Sequence, residues 1–357
     1  MQADSSRILN FFENCWAEFA NKEKELFSEV DLGDDISGDV VGFILRRGKR
    51  IRPLLFLSAW EAFTGLHVDE SVDNLPALQN TALALELLHA FVLVHDDVID
   101  RSQTRRGQPT LHRLIRDRLG GGDQGHLALS MAVVFGDVLF ARAFSLMLNA
   151  TGGLSNANFL RTLFLEVVRD TGLGELRDIQ MTDGKIAAFS LEDVERMYHL
   201  KTTRYTIELP LSAAYILACD NHNHLGVLAE YSHSIGLAFQ ITNDLREFQK
   251  VVSEEDHLEG DLIEAKKTWL LIKTRDLLGN SDRAFFDVCL ESHVRDERFV
   301  FKVKHLMEKV AVAEHAAKRI SELTAQAECC LTSSDLPPQL AQKLLGLVRD
   351  LKSVMFF

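Results

Sequence analysis

Residues 87–110, LLHAFVLVHDDVIDRSQTRRGQPT, are the most informative stretch of this chain. An apolar run with helical spacing leads into acidic residues with no polar turn between them. Three aspartates and two adjacent arginines complete the stretch: Asp96, Asp97, Asp100, Arg105 and Arg106. Asp96 and Asp100 are four residues apart, so on a helix they project from one face. The pattern predicts a core helix whose C-terminal end presents carboxylates at the opening of a buried region.

The charges of this stretch indicate a site for phosphate groups. Two carboxylates that lie one helical turn apart disfavour each other's ionised form. Mg²⁺ removes that conflict, because it is usually held by one or two carboxylates together with substrate phosphates. The planar guanidinium groups of Arg105 and Arg106 suit phosphate oxygens. Carboxylates, Mg²⁺ and arginines together predict a diphosphate site.

The composition favours one large all-α domain that spans residues 1–357. Hydrophobic residues make up 46% of the chain, only six residues are proline, and no Pro/Gly/Ser-rich linker interrupts it. Strand-like alternation is scarce, so helices are expected throughout. Residues 1–40 are predicted to form a helical extension, although the acidic segment 31–39 is predicted to be a loop. The net charge of −13 argues against binding to nucleic acid, which requires a positive surface.

Cysteine usage and hydropathy favour a cytoplasmic protein without a membrane span. The five cysteines form no CxxC pair, and the N-terminus shows no basic segment followed by an apolar one. The most apolar segment, residues 127–148, contains Asp137 and Arg142. It therefore falls short of the roughly 20 clean apolar residues of a membrane span and is predicted to be a core helix.

Three further segments carry candidate site residues. In GLAFQITNDLREF, residues 236–248, Asn243 and Glu247 share a helix face and Asp244 lies beside them. A basic cluster between two apolar runs is predicted to bind an anion: Arg46, Arg47, Lys49, Arg50 and Arg52. Lys266 and Lys267 lead an apolar helix, and a surface ion pair with a nearby acid remains the alternative for them.

These segments together resemble the trans-isoprenyl diphosphate synthases of the farnesyl and geranylgeranyl diphosphate synthase type. The resemblance spans residues 42–271. Six motifs in order carry it: GKRIRP (48–53), HDDVIDRSQTRRGQPT (95–110), GDVLFARA (136–143), KTTRYT (201–206), GLAFQITNDLREF (236–248) and DLIEAKKT (261–268).

The resemblance implies an all-α bundle around a deep central cavity, in a homodimer. It implies the condensation of isopentenyl diphosphate with an allylic diphosphate (dimethylallyl, geranyl or farnesyl), with up to three Mg²⁺ ions and with Mn²⁺ as a substitute. Metal ligands would be Asp96, Asp97, Asp100, Asn243, Asp244 and Glu247. Isopentenyl diphosphate would be bound by Lys49, Arg52, His89 and Arg106. The allylic diphosphate would be bound by Arg105, Lys201 and Lys266, with Thr202 and Gln240 beside the carbocation.

The chain departs from the family pattern at two places. The second acidic motif of the family is usually DDxxD, and in this chain it corresponds to residues 243–247. Asn243 brings no charge there, and Glu247 carries its charge on a longer arm. His257 stands where the family has a lysine. Since Mg²⁺ demands near-ideal octahedral geometry, a weaker third metal site is expected.

Product length depends on how deep the cavity runs. One helical turn rises about 5.4 Å, roughly one isoprene unit. In the family, bulky residues four and five positions before the first aspartate form the floor; here they are Val92 and Phe91. Phe91, with no insertion in the aspartate motif, resembles the pattern that favours a C20 product, and an ordinary core role for Phe91 is the alternative.

Two other functions remain open from the sequence. A terpene cyclase or lyase that ionises a prenyl diphosphate would share the scaffold, but its second motif needs Ser or Thr where Glu247 stands and an acid where Val251 stands. A regulatory subunit of a heteromeric synthase would explain Asn243. The complete first motif favours the synthase, with geranylgeranyl diphosphate preferred to farnesyl diphosphate.

Overall fold

A computed structural model gives the structure of the protein. It describes residues 2–28, 34–46, 48–70, 73, 75–105, 107–121, 124–249, 262–264, 266–292, 294, 296–336, 341–342 and 344–346. Contacts within the chain group it into two compact units. The first comprises Met1–Arg161 and Ala213–Asn221, and the second comprises Thr162–Ser212 and His222–Phe357.

Helices make up almost all of the described structure, so the all-α prediction is confirmed. In chain order they are α1 (Gln2–Ser28), α2 (Asp34–Leu45), α3 (Ile51–Thr64), α4 (Leu75–Ile99), α5 (Leu111–Arg118), α6 (Gly125–Ala150), α7 (Ala157–Asp183), a 3₁₀ turn (Ile186–Ala188), α8 (Leu191–Tyr198), a π-helix (His199–Glu208), α9 (Leu209–Cys219), α10 (Leu225–Gln249), α11 (Trp269–Leu277), α12 (Asn280–Leu290), α13 (Glu297–Lys309) and α14 (Val312–Thr332). The deep cavity stays a prediction.

In the first unit, α4 packs along α6 and carries the aspartate motif at its C-terminal end. Every residue from Thr81 to Leu88 is buried, because apolar side chains surround the helix on all sides. The expected loop at 31–39 is wrong from Asp34 onward, where α2 begins. Ile36, Val40 and Ile44 recur at four-residue spacing and are buried, which favours a helix despite Gly38.

A two-stranded ribbon follows α4 and was not predicted. Strands β1 (Thr104–Arg105) and β2 (Gln108–Pro109) pair antiparallel, with Arg105 opposite Gln108. Gly107 makes the tight turn between them with φ +73°, a conformation that only glycine adopts at little cost. The ribbon folds the chain back, so Arg105 returns to the end of α4.

The second unit is built around α10, which packs on α14 and on the π-helix. Its core includes Leu237, Ile241, Trp269, Phe286 and Val303. Gly236 allows α10 to approach the π-helix closely, because a Cβ at that position would overlap the Thr203 side chain. This contact brings the KTTRYT motif alongside the second acidic motif.

The π-helix, and not a simple proline kink, marks the irregular part of the long helical segment from α8 to α9. Pro210 predicts a local break, since it lacks an N–H and its ring crowds the preceding turn. The structure instead widens the turns before it, and the Leu209 N–H donates to the Arg204 carbonyl five residues back. Segments of this kind occur frequently at functional sites.

Helix α6 is long and apolar enough to cross a membrane by length and composition, with 39% of its most apolar window buried. Leu139 and Met147 are buried, as expected of a core helix, whereas Leu127 and Val134 are exposed. One such helix is weak evidence for a span, because core helices have the same composition.

Candidate functional site

The first group of site residues lies at the C-terminal end of α4. The Asp100 N–H donates to the Asp96 carbonyl at 2.9 Å, so the final turn continues through the motif. The Asp96 side chain is 17% exposed, whereas that of Asp97 is only 2% exposed. Asp96 and Asp97 therefore meet different surroundings, although they are adjacent in sequence.

Arg105 joins the two aspartates. Its Nη2 donates to Asp96 Oδ2 and its Nε donates to Asp97 Oδ1, both at 2.6 Å. The ribbon, which was not predicted, brings Arg105 back to Asp96 and Asp97, which lie nine and eight residues earlier in the chain. Asp96, Asp97 and one of the motif's arginines therefore lie together. The second arginine, Arg106, falls outside the described residues.

Burial raises the pKa of Asp97 to about 6, although the neighbouring Arg105 lowers it and Asp96 and Asp100 raise it further. Asp97 Oδ2 is buried and has no hydrogen-bond partner among the described residues. The Asp97 carboxylate therefore has too little nearby positive charge and too few hydrogen-bond donors to offset its burial. A cation bound beside this carboxylate would favour its ionised form.

The donors suit Mg²⁺ bound together with a substrate. Within the described part of the chain, no three His, Cys, Asp or Glu side chains form a cluster that could hold a metal by themselves. Mg²⁺ is commonly held by one or two carboxylates with waters and phosphate oxygens completing the shell. Asp96 and Asp100 on one helical turn fit that mode of binding.

The residues predicted to bind isopentenyl diphosphate lie around the start of α3 and on α4. Lys49 is exposed, Arg52 is buried in the first turn of α3, and His89 is half-buried on α4. The basic cluster divides among different partners, and Arg47 lies outside the described residues, so anion binding by the cluster stays a prediction. The Arg50 guanidinium is bound by Glu13 and Glu86, and Arg46 donates to the Pro109 carbonyl at 2.6 Å.

Phe91 and Val92, the predicted floor residues, differ in their surroundings. The Phe91 ring lies 5.4 Å from the Phe140 ring of α6 and 4.7 Å from the His95 ring, measured between centroids. Val92 is half-buried and is four residues before Asp96, so it shares that helix face. Both positions remain candidates for the floor.

In the second unit, Lys201 on the π-helix is held by two carboxylates that sequence reasoning missed. Its Nζ lies 2.6 Å from Asp178 Oδ2 and 2.7 Å from Glu175 Oε2, both on α7. The i, i+3 spacing of these acids was the available signal. Their contact with Lys201 depends on how α7 packs, which the spacing does not predict.

A polar chain runs from the π-helix to α10. Gln240 Nε2 donates to Thr202 Oγ1 at 3.3 Å, and Asn243 Nδ2 donates to Gln240 Oε1 at 3.1 Å. The structure thus brings the predicted pair Thr202 and Gln240 together and adds Asn243 to it. Since Asn243 donates through its amide nitrogen, its carbonyl oxygen is not used in this contact.

Asp244, the central acid of the second motif, is buried and committed to protein donors. Its Oδ2 accepts from the Tyr198 hydroxyl at 2.6 Å and from the Trp269 N–H at 3.2 Å. Asn243 and Glu247, one turn apart, are half-buried by comparison. Metal binding by Asp244 stays a prediction.

The two lysines before α11 have different partners. Lys266 Nζ lies 3.3 Å from Glu264 Oε2, so the alternative of a pair with a nearby acid is present. Lys267 is buried and donates to the Thr182 carbonyl at 2.9 Å. His257 and Asp261 lie outside the described residues.

Comparisons with known proteins identify the family of this chain. The sequence model of the polyprenyl synthetase family matches residues 37–309. The chain is 26% identical over 291 residues to a geranylgeranyl diphosphate synthase of Sulfolobus acidocaldarius, covering 77% of this chain and 78% of that protein. It is 29% identical over 277 residues to a short chain isoprenyl diphosphate synthase of Methanothermobacter thermautotrophicus, covering 75% of each.

The fold is also found in solved structures. A geranylgeranyl pyrophosphate synthase from Corynebacterium glutamicum, complexed with isoprenyl diphosphate and magnesium, superposes with a TM-score of 0.80 at 26% identity. The superposition covers 98% of each chain. With the family model matching most of the sequence, the chain belongs to the polyprenyl synthetase family and is a prenyltransferase.

Proposed function

We propose that this protein condenses isopentenyl diphosphate with an allylic diphosphate, in the presence of Mg²⁺, to give geranylgeranyl diphosphate as its main product. The observation that carries the proposal is the contact of Arg105 with both Asp96 and Asp97 at the end of α4. A planar guanidinium group beside carboxylates suited to Mg²⁺ supports a diphosphate site at this position. The relatives named above make short-chain prenyl diphosphates according to their names.

Asp96 and Asp100 are proposed to hold Mg²⁺ from the first motif, and Asn243 and Glu247 from the second. Bound there, Mg²⁺ would act as a Lewis acid that stabilises negative charge on the departing diphosphate. Asp97, which remains a candidate ligand, would stay with Arg105 and orient it. Asp244 would contribute mainly through its bond to Tyr198, although it remains a candidate ligand.

The cationic side chains divide between the two substrates. Arg105, Lys201 and Lys266 are proposed to bind the allylic diphosphate. The contacts of Lys201 with Glu175 and Asp178 fix its ammonium group, so it is oriented before substrate arrives. Lys49, Arg52, His89 and Arg106 are proposed to bind isopentenyl diphosphate. Fixed charges that need no rearrangement are most effective where charge develops during the reaction.

Thr202 and Gln240 are proposed to face the allylic carbon skeleton as it becomes positively charged. Their hydrogen bond leaves the Thr202 oxygen accepting from Gln240 and able to present a second lone pair. Oriented oxygen dipoles favour a cation without reacting as a charged nucleophile would. The departing diphosphate is proposed to accept the proton lost after the new carbon–carbon bond forms.

The active form is proposed to be a cytoplasmic homodimer. On α6, Leu127, Val134 and Leu148 are exposed, and on α7 Leu173 and Leu176 are exposed. Exposed apolar residues repeated along helix faces indicate surfaces that bind another protein. A symmetric pair of identical chains is the commonest assembly of this kind.

A regulatory subunit is the second candidate, because Asn243 replaces a charged ligand. Incubation of the chain purified alone with Mg²⁺, farnesyl diphosphate and labelled isopentenyl diphosphate separates the two functions. The synthase predicts label in a prenyl diphosphate that disappears when EDTA is added. Absence of label from the chain alone, with activity restored by a partner subunit, would contradict the proposal.

A further inference from the structure

Arg50 begins α3 in a backbone conformation that is unusual for its residue type. Its φ is 49° and its ψ is 37°, in the left-handed region, and it occupies the N-cap position of the helix. Its carbonyl accepts from the Leu54 N–H at 3.0 Å, which starts the helical hydrogen bonds. A residue with a Cβ stays in this region only where its surroundings hold it there.

The contacts of the Arg50 side chain keep the residue in this backbone conformation. It is only 4% exposed, its Nε lies 2.8 Å from Glu13 Oε1, and its Nη1 lies 2.8 Å from Glu86 Oε1. The guanidinium carbon also lies 5.2 Å from the Trp16 ring centroid and 5.9 Å from that of Phe12. Two carboxylates and two aromatic rings therefore hold the guanidinium group, whereas its Nη2 is buried and has no hydrogen-bond partner among the described residues.

The Arg50–Glu86 contact joins the two segments that carry the proposed isopentenyl diphosphate residues. Lys49 and Arg52 flank Arg50 in the turn that it shapes. Glu86 lies on α4 three residues before His89, on the same helix face. The ion pair thus sets the position of the turn with Lys49 and Arg52 against the helix with His89.

We infer that Arg50, through its ion pair with Glu86, is a positioning residue for the isopentenyl diphosphate subsite. The inference rests on the proposed function, because it assigns that subsite to Lys49, Arg52 and His89. Arg50 itself contacts no substrate. Its loss is expected to weaken binding of isopentenyl diphosphate and to leave binding of the allylic diphosphate unchanged.

A purely structural role predicts something different. Removing one member of a buried ion pair leaves an uncompensated charge and destabilises the whole fold, whereas replacing both with apolar residues is often tolerated. The double substitution Arg50→Met/Glu86→Leu therefore separates folding from positioning. If the pair serves only the fold, a folded double variant should have normal kinetic constants.

The experiment compares the double variant with wild type in steady-state condensation, varying each substrate in turn, together with thermal unfolding. We expect the KM for isopentenyl diphosphate to rise about tenfold or more, while the KM for the allylic substrate changes by less than about twofold. Arg50→Lys, which keeps the charge but loses the planar fork, should give an intermediate KM.

The control is the corresponding pair Arg142→Met/Glu23→Leu. Arg142 Nη2 lies 2.5 Å from the buried Glu23 and the guanidinium lies over the Phe19 ring, so the chemistry is similar, but the pair joins α6 to α1. It should leave both KM values within about twofold of wild type.

A folded double variant with an unchanged KM for isopentenyl diphosphate would overturn the inference, as would equal changes in both KM values. Should the double variant not fold, Arg50→Lys decides by the same two criteria. Failure of the wild-type chain to incorporate isopentenyl diphosphate would instead contradict the proposed function, so the two failures are distinguishable.

Discussion

Tyr198 donates a 2.6 Å hydrogen bond to Asp244 Oδ2, linking the residue before the π-helix to the central acid of the second motif. The Trp269 N–H donates both to Asp244 at 3.2 Å and to the Tyr198 oxygen at 3.1 Å, so α8, α10 and α11 meet at this point. Asn243 and Glu247 lie on either side of Asp244 in sequence. Their orientation therefore depends on a buried contact outside the motif.

We predict that Tyr198→Phe raises the Mg²⁺ concentration needed for half-maximal activity. The substitution removes one donor from a buried carboxylate, which costs about 1–3 kcal/mol and loosens the turn carrying the proposed ligands. A Mg²⁺ titration of the condensation rate measures the effect. The control is Tyr231→Phe, whose hydroxyl lies 3.5 Å from the Leu344 carbonyl on the same unit. Identical Mg²⁺ curves for Tyr198→Phe and wild type would contradict the prediction.

Asp96→Ala is expected to lower kcat by several orders of magnitude. It removes a proposed Mg²⁺ ligand and also one of the two carboxylates that orient Arg105. Loss of preorganised charge stabilisation costs about 10²–10³-fold in kcat for a single group, and two roles are lost here. Asp117→Ala, at an exposed aspartate of the same unit, serves as the control. Near-normal turnover of Asp96→Ala would rule out the metal assignment.

Phe91→Ala is expected to lengthen the prenyl product by removing the largest side chain at the predicted floor. Val92→Ala is the matched variant, because Val92 shares the face of Asp96 whereas Phe91 packs against Phe140. Product chain length after reaction with farnesyl diphosphate is the measurement. Longer products from Val92→Ala alone would assign the floor to Val92 and leave Phe91 as a core residue.

His199 is expected to make the protein less stable as the pH falls from about 6.5 towards 4. Burial, followed by the nearby His233 and Arg204, lowers its pKa to about 4. Between that pKa and the ordinary value of 6.5, the unfolded chain binds a proton that the folded chain does not, so acidification favours unfolding. The two Nδ1 atoms of His199 and His233 are 3.0 Å apart, which fits a pair with at least one neutral ring.

Melting temperatures of His199→Asn and wild type across pH 4–7 test this expectation. The difference between the two proteins should shift in favour of the variant as the pH falls, because Asn gains no charge in either state. An equivalent substitution at the exposed His126 should show no such trend. A constant difference across the pH range would show that His199 titrates alike in folded and unfolded chains.

Helices and motifs were predictable from the sequence because their signals are local. The apolar run before Asp96 and the spacing of Asn243 and Glu247 depend only on helical periodicity, and the helices α4 and α10 lie where these patterns indicate. The acidic segment from Asp34 was misassigned, because its charges and glycine outweighed the apolar spacing of Ile36, Val40 and Ile44.

The remaining features depend on tertiary packing. The contacts of Lys201 with Glu175 and Asp178 join residues more than twenty positions apart, and the bond from Tyr198 to Asp244 spans forty-six positions. Arg50 shows the same limit. Its sequence context groups it with Lys49 and Arg52 as an anion ligand, whereas the fold surrounds it with carboxylates.

The most direct test of the proposed synthase is the product itself. The purified chain would be incubated with Mg²⁺, labelled isopentenyl diphosphate and, separately, the C5, C10 and C15 allylic diphosphates, and the products would be separated by chain length before and after phosphatase treatment. The proposal predicts a labelled prenyl diphosphate, mainly C20, that becomes an alcohol only after phosphatase. Consumption of the allylic substrate to an unlabelled product without phosphate would contradict the synthase and indicate a cyclase or lyase.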